Sequence, residues 1–413
     1  MPFESRPGGY PGPMAEAADS LESIQDDALL RRDWRYFTAL TFLFTFGFFV
    51  YNGVFQNFLR DVLHAKELQL GTLESVREIP GLLAALMAGV VVALAESRVA
   101  AIGLAIGAIG IGISGLSDSF TTLMLITVFW SVGFHLYSTV QPAITLTLAK
   151  GKEGGRHLGR MSSVGAIATI GALGLATVLA PLLNGRMSEQ SKYSTFFMIG
   201  GASILVAAWC CTRLSHHAAS GKRQRLVFRK EYGLYYLLIF LEGCRRQIFS
   251  IFASFALILV YGVPVEQMLI LQFLNAILIA VTAPRMGRMI DRIGERGPLT
   301  LYAVGLIVVF LGYAIVQNVW ALYALFLIDN VLFTFGIGFN VYLHRIVRPG
   351  ELTPCLAMGT TMNHIAAVTV PVGGAYLWHA TKNYQLPFWV GVGIAAISLV
   401  ATRWLPTGPR LAE

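Results

Sequence analysis

Three small groups of polar residues are set inside long apolar runs, and each could do chemistry there. The richest is Glu242, Arg245, Arg246 and Gln247, within residues 232–262. An ionisable side chain in an apolar span is costly and by default marks a pathway or a binding site. On a helix Glu242 and Arg246 form an i,i+4 pair in the favourable order, with Arg245 at i+3. Two readings are open. One arginine neutralises Glu242 while the other meets a carboxylate on a neighbouring segment, or at least one guanidinium is free to hold an anion through paired hydrogen bonds. Two cations against one acid tilt the reading to a free guanidinium. The second group is Asp329 and Asn330, within residues 319–346. Asp329 could carry a coupling proton, or it could neutralise an arginine. The third group, Glu74, Arg77 and Glu78 followed by Pro80, opens residues 71–95 near one end of that run. Arg77 can neutralise one of the two acids, which suits either an ion-paired gate or a solvated helix start.

Weaker polar positions complete the candidate set: Asn52, Gln56, His135, Tyr137, Gln141, Gln272, Asn275, Asn363 and His364. His135 and His364 could carry protons, because histidine titrates near physiological pH; hydrogen-bonded packing is the plainer reading of each. Neither has a second histidine or a carboxylate at ligand spacing in the sequence, so no metal site is expected. The four cysteines, Cys210, Cys211, Cys244 and Cys355, lack metal spacing and read as buried small residues. No nucleophile–base pair or phosphate loop is visible, so neither an enzyme nor a cofactor is expected.

Long apolar helices must position these groups. Of 413 residues 55% are hydrophobic and 13% charged, roughly half the charge of an average soluble domain. The apolar residues come in runs broken by short charged stretches, which is the pattern of helices surrounded by lipid. Twelve spans are expected: 36–59, 71–95, 99–116, 120–149, 158–183, 193–212, 232–262, 264–284, 298–317, 319–346, 352–378 and 385–405. Trp34, Tyr36, Tyr232, Trp378 and Trp404 fall near span ends, where interfacial aromatics belong. The net charge of +8 is a topology signal. With both tails inside, 23 of the 31 Lys and Arg fall in cytoplasmic segments and five outside, the asymmetry of the positive-inside rule. A nucleic-acid partner is therefore not expected. Residues 1–35 lack a signal-peptide pattern and read as a cytoplasmic tail with a short surface helix at 14–32.

The residues between the eighth and ninth spans are GRMIDRIGER, Gly287 to Arg296. With Gly287, Asp291, Arg292, Gly294 and Arg296 between two membrane-length runs, this stretch resembles the cytoplasmic loop signature of the major facilitator superfamily. An offset of 198 residues returns to Gly89 and Arg98, with Ala93 where Asp291 stands. This eroded first copy suggests a duplicated six-helix unit. The resemblance implies an all-α fold of two pseudo-symmetric six-helix bundles around a central cavity lined by spans 1, 4, 7 and 10. It implies bundles at 36–212 and 232–405, joined by a basic cytoplasmic linker at 213–231, with a C-terminal tail at 406–413. It also implies that Asp291 meets a helix end and a neighbouring arginine in a state-holding latch, with Glu96 as a stand-in in the first half.

The expected function is secondary transport of a small solute by alternating access. Arg245 and Arg246 favour an organic anion or zwitterion, with Asn52, Gln56, His135, Gln141, Asn330 and Asn363 as further substrate contacts. Glu242, Asp329 and His364 are candidates for proton coupling. Glu74, Arg77 and Glu78, with the Gly89 and Gly287 loops, are candidates for gating. Efflux of amphipathic cations is the alternative, followed by a non-transporting receptor or assembly factor. The Gly-rich proline motif by which drug/proton antiporters resemble one another in span 5 is missing between Gly165 and Pro181. The expected setting is a prokaryotic cytoplasmic membrane, with lipid, solute and protons as partners and a monomer as the working unit.

Overall fold

A computed structural model describes the backbone of residues 13–83, 95–149, 154–215, 229–348 and 351–406. Twelve helices follow one another in these segments, and each coincides with one expected span. They are α1 (Pro13–Asp61), α2 (Glu67–Leu82), α3 (Glu96–Ile113, with a 3-10 turn at Ser114–Leu116), α4 (Phe120–Leu148), α5 (Gly154–Leu183) and α6 (Glu189–Thr212). The second six are α7 (Gly233–Gln247, running on through a π-helical stretch at Ile248–Ala253 into Ser254–Leu259), α8 (Val265–Ile293) and α9 (Arg296–Ile315). Then come α10 (Val319–Phe333, a 3-10 turn at Thr334–Gly336, then Ile337–Ile346), α11 (Leu352–Thr381) and α12 (Leu386–Thr402). Among the described residues nine helical segments are long and apolar enough to cross a membrane. The other three are α2, whose run passes into residues not described, α7, which carries three charges, and α12, which has 17 residues.

Local chemistry sets the ends. Ser119, Ser188 and Asn318 cap α4, α6 and α10, their side chains accepting from backbone N–H groups of the first turn. Gly294, at φ 81°, ends α8 in a backbone conformation that side-chain-bearing residues rarely adopt. The expected short tail helix is instead continuous with the first span, so that α1 runs 49 residues. No proline or glycine interrupts it between Pro13 and Gly47, so nothing in the backbone chemistry stops the helix at the interface. Gly103 and Gly133 allow a close helix contact. A Cβ on Gly133 would lie 2.4 Å from the Gly103 carbonyl oxygen, so α3 and α4 touch backbone to backbone.

The tail face holds the helix ends joined at 294–295, and the far face holds the 62–66, 184–188, 260–264 and 382–385 connections. Contacts between α1–α6 and α7–α12 gather toward the far face. Asn57 donates to the Val263 carbonyl at 3.3 Å, and Arg60 donates to the carbonyls of Ile258 and Val263 at 2.8 and 3.1 Å. Asn184 donates to Glu266 at 2.8 Å, His379 pairs with Glu67 at 2.8 Å, and the Val372 N–H donates to Ser75 at 3.0 Å. Among the described residues the two halves thus meet at the far face.

Candidate functional site

The polar residues inside the spans converge into two clusters near mid-helix. The first is built on α7, α9 and α10. Glu242 lies nine residues beyond Gly233 and Asp329 ten beyond Val319, so each is about 14–15 Å along its helix axis. Arg245 bridges them. Its Nη2 is 2.8 Å from Glu242 and its Nη1 is 3.0 Å from Asp329. Tyr302 of α9 donates its hydroxyl to Glu242. Arg245 and Asp329 are 2% and 3% exposed. The rings of Tyr302 and Phe333 lie under the guanidinium at 5.5 and 5.3 Å, where a cation–π contact adds to the ion pairs. One arginine therefore takes both carboxylates, an arrangement that leaves the second arginine outside the ion pairs, as one of the two sequence readings allowed.

Arg246 is released by that arrangement. It is exposed, and the described residues give it no ion pair. Its guanidinium lies 5.5 Å from the Phe333 ring; Glu242 and Arg245 of its own helix are the strongest charges acting on it, followed by Glu78 and Arg77 of the other half. It therefore faces the space between the halves. Two breaks in regular helix flank this region: the π-helical stretch that begins one residue after Gln247, and the 3-10 turn after Phe333. π-Helical turns are frequent at functional sites, and interrupted helices are tolerated at membrane depth where they are packed in protein or line a cavity.

The second cluster joins α2, α4 and α11. Because α2 starts at Glu67, four residues before the expected span, Glu78 lies eleven residues in. The group expected near the membrane surface is therefore a mid-helix cluster. Arg77 pairs with Glu74 at 2.6 Å and with Oε1 of Glu78 at 3.2 Å. The other carboxylate oxygen of Glu78 faces His135 Nε2 at 3.8 Å and His364 Nδ1 at 3.3 Å. Glu74 is 3% exposed and His135 is 4% exposed. Gly81, one turn beyond Glu78, makes room for the two rings. A Cβ there would sit 2.4 Å from both His135 Nε2 and His364 Cε1. The sequence offered no ligand spacing here, yet the fold brings three candidate ligand residues together. Glu78, His135 and His364 bring three ligand atoms within 4.8 Å of one another. They come from three helices, so no sequence spacing could announce them.

The remaining candidates are dispersed. Asn330 spends its amide on the Phe326 carbonyl at 2.9 Å within its own helix. Asn52, Gln56 and Gln141 are partly buried, and the Gln56 carbonyl oxygen has no hydrogen bond. Asn363 packs on α7, where its Oδ1 would be 2.7 Å from a Cβ on Gly243. In the signature loop Asp291 and Arg292 are exposed, and Asp291 makes no ion pair among the described residues. Glu295 takes the anchoring part instead: it is 2% exposed and pairs with Arg345 at 3.2 Å. Gly287 and Arg296 are partly buried and Arg98 is exposed. Gly89 lies outside the described residues. Tyr302 was missed because a tyrosine in an apolar span reads as packing or as an interfacial anchor, and its hydroxyl acquires meaning only beside Glu242.

Comparisons with known proteins agree with this architecture. A family model described as Major Facilitator Superfamily matches residues 37–353. No curated protein matches the sequence. Among solved structures, the nucleoside transporter NupG is 15% identical, with 89% of this chain and 97% of that one covered at a TM-score of 0.70. A bacterial homologue of the iron transporter ferroportin in an inward-facing state is 15% identical, covering 90% and 98% at 0.73. The transporter FucP in its outward conformation is 14% identical, covering 90% and 97% at 0.59. These likenesses show a shared fold of two six-helix bundles around a central cavity. With the family model spanning most of the twelve helices, the chain belongs to the Major Facilitator Superfamily, a family of membrane transporters.

Proposed function

We propose that this chain moves a small organic anion or zwitterion by alternating access, with Arg246 as the group that recognises the negative charge. The observation that carries this is the exposed guanidinium of Arg246 midway along α7, without an ion pair among the described residues, while Arg245 beside it is fully engaged. A planar guanidinium with free donors matches a carboxylate or phosphate through paired hydrogen bonds. The solved structures of like fold include carriers of different solutes, a nucleoside transporter among them, so the fold itself does not choose a substrate.

Proton coupling belongs to the Arg245 cluster. Glu242 and Asp329 share one arginine, which leaves one negative charge in a buried setting. A proton on Asp329 would neutralise that charge and free a donor of Arg245. With Arg246 loaded by an anion, Glu242, Arg245, Arg246 and Asp329 of α7 and α10 are then charge-balanced in both the empty and the loaded states. The 23 basic residues on the tail side favour a tail face that is cytoplasmic, in a prokaryotic cytoplasmic membrane and as a monomer. In that orientation the far face, where the halves meet, is the outer one.

The test is a thermal-shift screen of detergent-purified protein against carboxylates, amino acids, sugars, phosphates and cationic drugs, repeated with Arg246→Gln. A ligand that binds the folded state raises the melting temperature by mass action. A shift with one anion class, lost in Arg246→Gln, supports the reading. A shift with cationic drugs alone, retained in the variant, overturns it.

A further inference from the structure

We propose that Glu78, His135 and His364 form a binding site for a divalent transition-metal ion of the zinc class, held between the two halves. The argument is one of lone pairs. Arg77 donates to Oε1 of Glu78 at 3.2 and 3.3 Å, so Oε2 is the oxygen turned toward the imidazoles. His135 Nδ1 lies 2.9 Å from the Ser131 carbonyl oxygen, an acceptor only. Nδ1 therefore carries the proton of the neutral ring, and Nε2 presents a lone pair toward the carboxylate. His364 Nδ1 is buried and makes no hydrogen bond, although it lies 3.3 Å from Oε2. With His364 protonated on Nε2, its Nδ1 presents a third lone pair, and the three ligand atoms lie within 4.8 Å of one another. Donors held at about 2.0–2.2 Å from one tetrahedral ion lie roughly 3.3–3.5 Å apart; here Oε2 is 3.3 Å from His364 Nδ1 and 3.8 Å from His135 Nε2. A single proton can bridge one pair of these atoms, whereas a metal ion satisfies all three.

The surroundings fit a cation. Glu74, Arg77 and Glu78 together carry one negative charge, and Arg77 is held 2.6 Å from Glu74. The Ser131 carbonyl orients His135 in the manner usual for a metal-bound histidine, whose other ring nitrogen donates to a carbonyl or carboxylate. Two imidazoles and one carboxylate leave a fourth position open, the ligand count of an exchangeable zinc site rather than a closed structural one. Imidazole favours zinc, copper, nickel or iron over calcium and magnesium. The ligands come from α2 and α4 on one half and α11 on the other. An ion bound here ties the halves together.

The experiment uses the full chain in detergent, freed of any histidine tag, and titrates it with cobalt(II) while the visible absorption is followed. The expected result is one cobalt per chain with d–d absorption, displaced by zinc and not by calcium. Acidification should release the metal as the imidazoles protonate. His364→Gln should weaken binding by at least the roughly tenfold that loss of a supporting hydrogen bond costs. No cobalt absorption at neutral pH, or unchanged affinity in His364→Gln, overturns the proposal and leaves a proton as the shared cation. Should that variant fail to fold, the wild-type chain is treated with diethyl pyrocarbonate and mapped by mass spectrometry. Protection of His135 and His364 by zinc supports the site, and their modification under saturating zinc overturns it.

Discussion

Replacing Arg245 by Gln separates a strut from a ligand. Arg245 holds Glu242 at 2.8 Å and Asp329 at 3.0 Å, and the side chains of the three residues are 3%, 10% and 4% exposed. Removing one partner of a buried ion pair costs about 3–5 kcal/mol, because it strands a charge in low dielectric. Here two carboxylates are stranded, and the contacts with Tyr302 and Phe333 are lost as well. Scaled to a chain of this size, roughly 1–2 °C is expected per kcal/mol, so the variant should melt some 5 °C or more below wild type. Scanning fluorimetry on the native tryptophans in detergent gives the comparison. Neutralising the partners in the same chain, with Glu242→Gln and Asp329→Asn, should recover most of the loss, because no charge is then left unpaired. Arg246→Gln should melt within about 1 °C of wild type, as exposed substitutions usually do. A wild-type melting temperature for Arg245→Gln, with no response to the partner substitutions, would refute the strut assignment and return Arg245 to the substrate.

Other consequences follow from single contacts. Gly81→Ala drives a methyl group into both imidazoles, and overpacking of this kind costs about 1–3 kcal/mol; the variant should show lowered thermal stability and a loosened contact between the halves, read as faster labelling of a cysteine placed at Ser75. Glu295→Ala should destabilise by roughly 1–3 kcal/mol through loss of its charged hydrogen bond to Arg345, whereas Asp291→Ala should stay within about 0.5 kcal/mol; equal melting temperatures would contradict the anchoring part given to Glu295. At the tail face the Tyr232 hydroxyl, with Arg229 second, holds the Glu351 carboxyl below its ordinary value. A depressed folded value means that this contribution is complete above the unfolded carboxyl's pKa and disappears as pH falls through the folded one. Melting curves of wild type and Tyr232→Phe should therefore differ at neutral pH and converge in acid, and a gap that persists in acid would refute the linkage.

The twelve helices were legible because apolar run length is a local property, and each run found its helix. The Gly287 stretch was legible for the same reason, being contiguous. What the sequence could not show is which side chains meet. Glu242 and Arg245 are three residues apart and could be paired on a helical wheel, but Asp329 reaches Arg245 across 84 positions, through the packing of α7 and α10 that only the family resemblance suggested. Glu78, His135 and His364 come from three helices in two halves, and sequence spacing argued against the grouping they form. The depth of Glu78 was misjudged by one turn of helix start, since Glu67 and Leu68 look like loop residues in a hydropathy profile and are helical in the structure. Asp291 was given a latch by analogy, yet the buried carboxylate of the loop is Glu295, four residues on.

The central claim is that Arg246 recognises an anionic solute moved between the two faces. The most direct measurement is solute counterflow in proteoliposomes, using an anion that stabilises the purified protein, with wild type and Arg246→Gln compared at matched folding. The account predicts exchange of labelled for unlabelled anion in the wild type, and its loss in a variant that melts with the wild type. Exchange at the wild-type rate in Arg246→Gln would contradict it.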